Sequence, residues 1–152
     1  MNLSPHFRLS EMTRTGQSGF ALEQGNPPTL VRDALTRLCL DIMEPIRARF
    51  GPVSVHSGYR SPELNAATHG ASKTSQHMRG EACDFHCPNA TLQAVFDWIR
   101  FDSGLSYSQL ILEGHGAAPT WIHIALPTLT KHGEALVFSG GKYTNAPAGR
   151  LA

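Results

Sequence analysis

The sequence predicts a single α+β domain in which helices back a mostly antiparallel sheet. Residues 29–50 carry apolar side chains at helical spacing, and several short strand-like runs follow further along the chain. Helices that come first, followed by strands with one more helix between them, are typical of the α+β class. A chain of 152 residues that is 41% hydrophobic is large enough for one domain with its own core.

The strongest helix prediction is residues 29–50. One face of this segment is apolar, with Val31, Leu35, Leu38, Ile42 and Ile46 at helical spacing. Pro45 should kink or split the helix because proline has no backbone N–H to donate. Gly51 and Pro52 then end it.

Three shorter helices are also predicted. One begins near Ser10, and one follows Ser61, which is a suitable N-cap with Pro62 in the first helical position. The last follows Asn89, which we expect to cap it, and its apolar face is formed by Leu92, Val95, Phe96 and Ile99.

Five runs are predicted to be strands, at residues 52–56, 81–87, 108–113, 121–126 and 134–139. Polar or glycine-rich stretches at residues 24–28, 69–76 and 114–119 are predicted loops. Residues 140–152 are rich in glycine, proline and alanine, which predicts a loose tail. The domain is therefore expected to span residues 1–139.

Charge and composition exclude several classes of function. The net charge is +1 and the basic residues are spread out, so we expect no nucleic-acid partner. No apolar run is long enough for membrane insertion, and the first residues lack the apolar centre of a signal peptide, so synthesis in the cytoplasm is expected. The odd number of cysteines, three, favours buried reduced thiols over a disulfide framework. The oligomeric state is left open.

Two histidines and one aspartate are candidate metal ligands. His77 ends a polar loop, Asp84 follows it on a strand of small and apolar residues, and His123 lies on the strand Trp121–Leu126. A carboxylate on such a strand needs a partner or a metal if it is buried, and imidazole and carboxylate both suit Zn²⁺. Spacing alone leaves the alternative open that His123, between two isoleucines, is an ordinary core histidine. His56 falls on the polar side of its strand and is expected at the surface.

Three motifs together resemble a known family. These are Ser-Gly-Tyr-Arg-Ser-Pro at residues 57–62, Ser-Gln-His-x-x-Gly-x-Ala-x-Asp at residues 75–84, and Trp-Ile-His at residues 121–123. They are similar to peptidase family M15, the zinc D-Ala-D-Ala carboxypeptidases and phage endolysins, whose fold is shared with the Hedgehog signalling domain. Further likeness, at residues 3–13, 44–53 and 109–113, points to the small phage and prophage branch.

The resemblance implies roles for individual residues. His77, Asp84 and His123 match the positions of the three zinc ligands, and Arg60 matches an arginine that family members use near the substrate. A guanidinium can hold a carboxylate or carbonyl through two parallel hydrogen bonds. Ser75 and Gln76 precede a ligand directly, so they are candidates for contacting substrate or supporting that ligand, with a plain loop role as the alternative.

The general base is where this chain departs from the better-known members. Several of those carry an acidic residue three positions before the last histidine, where this chain has Thr120. The nearest acidic candidate is Glu113, at the end of its strand, which we favour as the base. His115 is a second candidate, and His86 shares the predicted face of Asp84. The departure puts catalysis in doubt, not metal binding.

The resemblance implies a zinc metallopeptidase that hydrolyses an amide bond in peptidoglycan peptides, as a carboxypeptidase or an endopeptidase. Such a protein would reach the cell wall when released or packaged by a phage. The alternative is a non-catalytic, zinc-stabilised module that binds cell-wall peptides or a protein partner, an alternative that Thr120 keeps open.

Overall fold

A computed structural model describes all 152 residues and shows an α+β domain. Six strands form one sheet in the order β1-β2-β4-β3-β5-β6. They are β1 Ser54–Ser57, β2 Ala82–His86, β3 Gln109–Glu113, β4 Trp121–Ala125, β5 Glu134–Ser139 and β6 Lys142–Asn145. Every neighbouring pair is antiparallel except β3 and β5. The predicted class, a mostly antiparallel sheet backed by helices, is confirmed.

The helices lie before and between the strands. They are α1 Leu9–Met12, α2 Ala21–Gly25, α3 Thr29–Leu38, α4 Glu44–Phe50, α5 Pro62–Ala67 and α6 Leu92–Phe101, with a π-helical turn at Cys39–Met43 and a 3₁₀ turn at Gln76–Arg79.

One face of the sheet carries the hydrophobic core. Residues that alternate along β2 and β4, such as Phe85, Ile122 and Ile124, are completely buried. They belong to the same apolar cluster as Leu35 of α3 and Phe96 of α6. Because side chains alternate between the two faces of a strand, Asp84 and His123 point to the opposite face. This is the division that the strand patterns predict.

The helix predicted for residues 29–50 is split, as the proline suggested. α3 ends at Leu38 and α4 begins at Glu44, with the π turn between them and Pro45 in the first turn of α4. A π turn widens the helix by one residue, so it accommodates the missing N–H of Pro45 without ending the helical path. Cys39, Ile42 and Met43 stay buried through the turn.

Some local predictions were wrong. Ser61 caps α5 as expected and accepts from the N–H of Leu64. The cap of α6, however, is Thr91 and not Asn89, since the Thr91 hydroxyl accepts from the N–H of Ala94 at 3.2 Å. α2 falls partly within a predicted loop, because a five-residue helix that ends in Gly25 shows no helical period. The thiols of all three cysteines are free and buried, as expected.

The last residues differ from the predicted loose tail. Residues 142–145 form β6, which pairs with β5. Beyond it, the backbone N–H groups of Leu151 and Ala152 donate to the buried carboxylate of Asp97 on α6. Glycine and proline in a sequence indicate turns, but they give no sign of contacts made with distant elements. A domain boundary at residue 139 stays a prediction.

Candidate metal centre and cleft

The sheet register brings two of the candidate ligands side by side. β2 and β4 are antiparallel neighbours in which Asp84 lies directly opposite His123. Directly opposed residues in an antiparallel pair point to the same face, with Cβ atoms about 4.5–5.5 Å apart. His123 is therefore not a core histidine: it lies on the face away from its buried neighbours Ile122 and Ile124.

The third candidate, His77, reaches this point from the 3₁₀ turn. Ser75 caps the turn by accepting from the N–H of His77, and Gly80 ends it in the left-handed region at φ +71°. A Cβ at Gly80 would stand 2.6 Å from the carbonyl oxygen of Val31, so glycine is needed for both conformation and space. The N–H of Arg60 donates to the carbonyl of His77 at 3.1 Å, which ties this turn to residues 57–61.

Three donor atoms converge at this place. His77 Nε2 is 3.3 Å from Asp84 Oδ1 and 3.2 Å from His123 Nδ1, and His123 Nδ1 is 2.8 Å from Asp84 Oδ1. A tetrahedral Zn²⁺ with bonds of about 2.0–2.1 Å holds its ligand atoms about 3.3 Å apart. The three separations are close to that value, so the set fits such an ion.

The protonation pattern of His77 also favours a cation. Its Nδ1 lies 2.6 Å from the carbonyl oxygen of Gly58, which can only accept, so Nδ1 carries the proton. In a neutral ring, Nε2 then carries a lone pair, and this lone pair faces Oδ1 of Asp84. A metal ion bound between these two atoms would remove the repulsion between their lone pairs. A zinc-binding histidine usually donates its other ring N–H to a carboxylate, a backbone carbonyl or water, as Nδ1 of His77 does here.

The charge of Asp84 is stabilised at this position. Burial by itself raises the pKa of the Asp84 carboxyl. With no metal bound and a proton on Nε2 of His77, the charge of His77 and the hydrogen bonds from His123 and His77 outweigh burial and hold that pKa far below its usual range. Asp84 therefore stays an anion at any pH at which a metal would bind, which is the form that ligates.

Arg60 lies beside the triad with part of its donor capacity free. Its side chain donates to the hydroxyl of Ser75 at 3.2 Å, while its buried Nε has no partner. Burial lowers the pKa of the guanidinium, and the nearby charges of Asp84 and Glu113 oppose that effect. An arginine always stays charged in a protein, so this is a cation with unused donors. Ser75 supports both Arg60 and the turn that carries His77.

Gln76 lines the cleft, but its amide is used within the protein. Its nitrogen donates to the carbonyl of Leu126 at 3.1 Å, and its oxygen accepts from the hydroxyl of Ser108 at 2.9 Å. Gln76 thus fastens the 3₁₀ turn to the sheet. This arrangement corresponds to the supporting role among the predicted alternatives.

The candidate bases occupy different places on the same face. Glu113, on β3, lies directly opposite Trp121 of β4 and is therefore a diagonal neighbour of His123. Long side chains can reach a diagonal neighbour on the same face of a sheet. His115 is exposed and packs its ring 4.9 Å from that of Trp121. His86 is occupied with His56, their ring nitrogens 2.6 Å apart. Thr120 is exposed, and its backbone N–H pairs with the carbonyl of Glu113.

The three candidate ligands, Arg60, Glu113 and His115 open on one cleft of about 1080 Å³ across the outer face of the sheet, whereas His86 and Thr120 do not line it. Most residues of the segments 14–17, 68–76 and 128–131 line it, together with the three candidate ligands and Glu113. A volume of this order holds a small peptide.

Several residues of the cleft were not identified from the sequence. Gln24 is buried on α2, where its amide bonds the carbonyl of Tyr59 and the N–H of Ser61, the two neighbours of Arg60. Tyr143 on β6 donates to Glu113 at 2.7 Å. His56, expected at the surface, is exposed but lines the cleft. No local pattern could have shown these roles, because each partner is remote in the chain.

The fold and the site define a class: an α+β domain with two histidines and one carboxylate gathered in an open cleft, the only grouping of three such side chains suited to a metal. The family model described as Peptidase M15 matches residues 5–125, well over half of the chain. The chain belongs to the peptidase M15 family, and the predicted resemblance is confirmed at this level. No curated protein matches it. None of its helices is both long and apolar enough to cross a membrane.

Proposed function

We propose that this peptidase is zinc-dependent and hydrolyses an amide bond in peptidoglycan peptides. The observation that carries the proposal is the convergence of His77, Asp84 and His123 in a cleft that also holds Arg60 and Glu113. Three protein ligands with a position open to solvent are the usual form of a catalytic zinc site.

A zinc ion held there would polarise the scissile carbonyl and lower the pKa of a water molecule to about 7. Glu113 takes one proton from the attacking water while the new carbon–oxygen bond forms. It returns that proton to the amide nitrogen as the carbon–nitrogen bond breaks, so that one water yields a carboxylic acid and an amine.

Arg60 is proposed to bind and orient the substrate. Its unpartnered Nε and its charge suit a carboxylate or carbonyl of the peptide. Stem peptides of peptidoglycan end in a carboxylate and carry others along their length, so they offer what this cation can hold. The hydroxyl of Ser75 accepts a hydrogen bond from the guanidinium and so helps to hold it in place.

The test is digestion of two defined substrates by the zinc-loaded protein. A stem peptide that ends in D-Ala-D-Ala reports carboxypeptidase action, and a cross-linked dimer reports endopeptidase action, both followed by mass spectrometry. We expect Glu113→Gln to keep its zinc and lose about 10²-fold or more in kcat. Asp84→Ala should lose both zinc and activity. Glu63→Gln, an exposed carboxylate on α5, is the matched control and should behave as the wild type.

A second candidate function is a non-catalytic zinc-stabilised module that binds cell-wall peptides. Thr120 favours it, since this exposed residue stands where better-known relatives have an acid. Stoichiometric zinc with no cleavage of either substrate would support this candidate. Purified protein that takes up no zinc would exclude both.

A further inference from the structure

The hairpin β5–β6 lies beyond the part of the chain that matches the family model. That match ends at residue 125, whereas β5 begins at Glu134 and β6 ends at Asn145. β5 pairs in parallel with β3, the strand of Glu113, and β6 is the edge strand on this side of the sheet. The hairpin therefore adds a wall to the cleft that the matched region does not supply.

Tyr143 is the residue through which this wall reaches the site. It lies opposite Phe138 in the hairpin, and the two rings pack with their centroids 4.7 Å apart. Its hydroxyl donates to Glu113 Oε1 at 2.7 Å, the length of a strong hydrogen bond to a carboxylate. The side chains of Tyr143 and Glu113 both line the cleft.

The bond engages one oxygen of Glu113 and leaves the other unengaged. The phenol is the only group of the protein that donates to this carboxylate, so Oε2 has no partner. Burial, the hydrogen bond to Glu113 and the charges of Glu113 and Asp84 raise the pKa of Tyr143 well above its usual value. The phenol therefore keeps its proton and remains a donor at neutral pH.

Packing alone is a poor explanation for Tyr143. The residue is 52% exposed, so its ring contributes little to the core. A carboxylate at a strand end facing open solvent would otherwise sample several rotamers. The hydrogen bond from a ring that is itself held by Phe138 restricts that choice.

We propose that Tyr143 is a positioning residue that fixes the orientation of the Glu113 carboxylate in the cleft. The inference rests on the proposed function, in which Glu113 is the general base. Tyr143 acts through Glu113 and does not touch the reacting atoms. The hairpin is thus a working part of the active site, and not only an edge of the sheet.

The test is a double-mutant cycle in the full chain, measured with whichever defined peptide the wild type cleaves. Tyr143→Phe should lower kcat about tenfold with KM and bound zinc unchanged. In a Glu113→Gln background the same substitution should change kcat less than about twofold, because its target is already gone. Tyr107→Phe, a half-buried tyrosine away from Glu113, is the matched control and should leave kcat unchanged.

A readout that does not depend on activity is the crystal structure of zinc-loaded Tyr143→Phe, in which the Glu113 carboxylate should leave its wild-type orientation. The inference is overturned if that carboxylate keeps its place, if kcat is unchanged, or if kcat falls equally in both backgrounds. An inert wild type that holds zinc would instead refute the proposed function itself, and with it this role.

Discussion

At the scale of single residues, one hydrogen bond decides which nitrogen of His77 faces the other two donors. The carbonyl of Gly58 accepts a hydrogen bond from the Nδ1–H of His77, which leaves the lone pair of Nε2 facing Asp84. Gly58 cannot be replaced freely, because a Cβ there would collide with the carbonyl of Met12. The Ser-Gly-Tyr-Arg motif thus contributes a backbone carbonyl that supports the candidate ligand His77, as well as the side chain of Arg60.

The side chain of Gln24 holds the backbone of the Ser-Gly-Tyr-Arg-Ser-Pro motif in place. Its amide nitrogen donates to the carbonyls of Tyr59, at 2.8 Å, and Thr13, at 3.3 Å, and its oxygen accepts from the N–H of Ser61. The side chain is 1% exposed, so water cannot replace these bonds. The side chain of Gln24 thus makes the hydrogen bonds to the backbone on either side of Arg60 that a neighbouring strand would make in a sheet.

We expect Gln24→Leu to destabilise the protein by about 2–3 kcal/mol, because it leaves buried carbonyl and N–H groups unpaired. Urea unfolding followed by circular dichroism measures the change. Gln17→Leu, at the exposed rim of the cleft, is the control and should stay within about 0.5 kcal/mol of the wild type. An equal effect of the two substitutions would show that the buried amide makes no special contribution.

At the scale of elements, the start of α4 holds the first residues of the chain in place. Glu44 accepts from the hydroxyl of Ser4 at 2.6 Å and from the backbone N–H of His6 at 2.8 Å, and it pairs with the ring of His6. Burial by itself raises the pKa of Glu44, but the hydrogen bonds from Ser4 and His6 and the charge of His6 lower it overall.

Since this pKa is lower in the folded state than the ordinary value of 4.5, Glu44 stabilises the fold above that pH. The contribution is lost as the pH falls through the folded-state pKa. We expect Glu44→Gln to cost about 1–2 kcal/mol at pH 6 and much less at pH 3. Denaturant unfolding at both pH values measures it. A penalty that does not change with pH would contradict the role of the charge.

The end of the chain is held by α6 in a similar way. Asp97 is 2% exposed and accepts the N–H groups of Leu151 and Ala152, and Arg150 forms a two-bond ion pair with Asp102. The exposed ion pair adds little stability. The buried carboxylate is the stronger attachment because water cannot compete for it.

Asp97→Ala should therefore release the last residues from α6. We expect a loss of about 2 kcal/mol in stability, as for a broken buried hydrogen-bond network, and faster proteolysis after residue 146. Limited proteolysis with mass spectrometry detects the second effect. Asp33→Ala, exposed on α3, is the control. Equal cleavage of the two variants would exclude this attachment.

At the scale of the whole molecule, the core is independent of the triad. The cluster side chains on β2 and β4, such as Phe85, Ile122 and Ile124, lie on the face of the sheet opposite to Asp84 and His123. Two of those ligands sit on neighbouring strands that backbone hydrogen bonds already hold together. The fold should persist without metal.

Removal of zinc by a chelator is expected to lower the melting temperature by about 5–10 °C while the far-ultraviolet circular dichroism stays native. This follows from linkage, in which a ligand at about a hundred times its dissociation constant adds about 2.7 kcal/mol. Calorimetry with and without a known free zinc concentration measures it. Unfolding at room temperature on chelation would mean that the metal, and not the core, holds the fold.

Much of the architecture was predictable because it depends on local pattern. The apolar spacing in residues 29–50, the break near Pro45 and the alternation around Asp84 and His123 each reflect a preference that neighbouring residues impose. The same alternation placed both candidate ligands on the face away from the core. The cap of α6 was predicted wrongly because two polar residues precede Leu92 closely, and it is Thr91, not Asn89, whose hydroxyl accepts from the N–H of Ala94.

What the sequence determined by itself is most of the helices and strands, the family and the identity of the candidate ligands, since these depend on short motifs and on residue type; α2 and β6 were not foreseen. What only the tertiary structure decided is the environment of those residues: the proton of His77 fixed by Gly58, the support of Arg60 by Gln24, and the hold of Tyr143 on Glu113. Each of these contacts joins residues 19 or more positions apart. Such pairs leave no periodicity in a single sequence, because sheet register and helix packing alone bring them together.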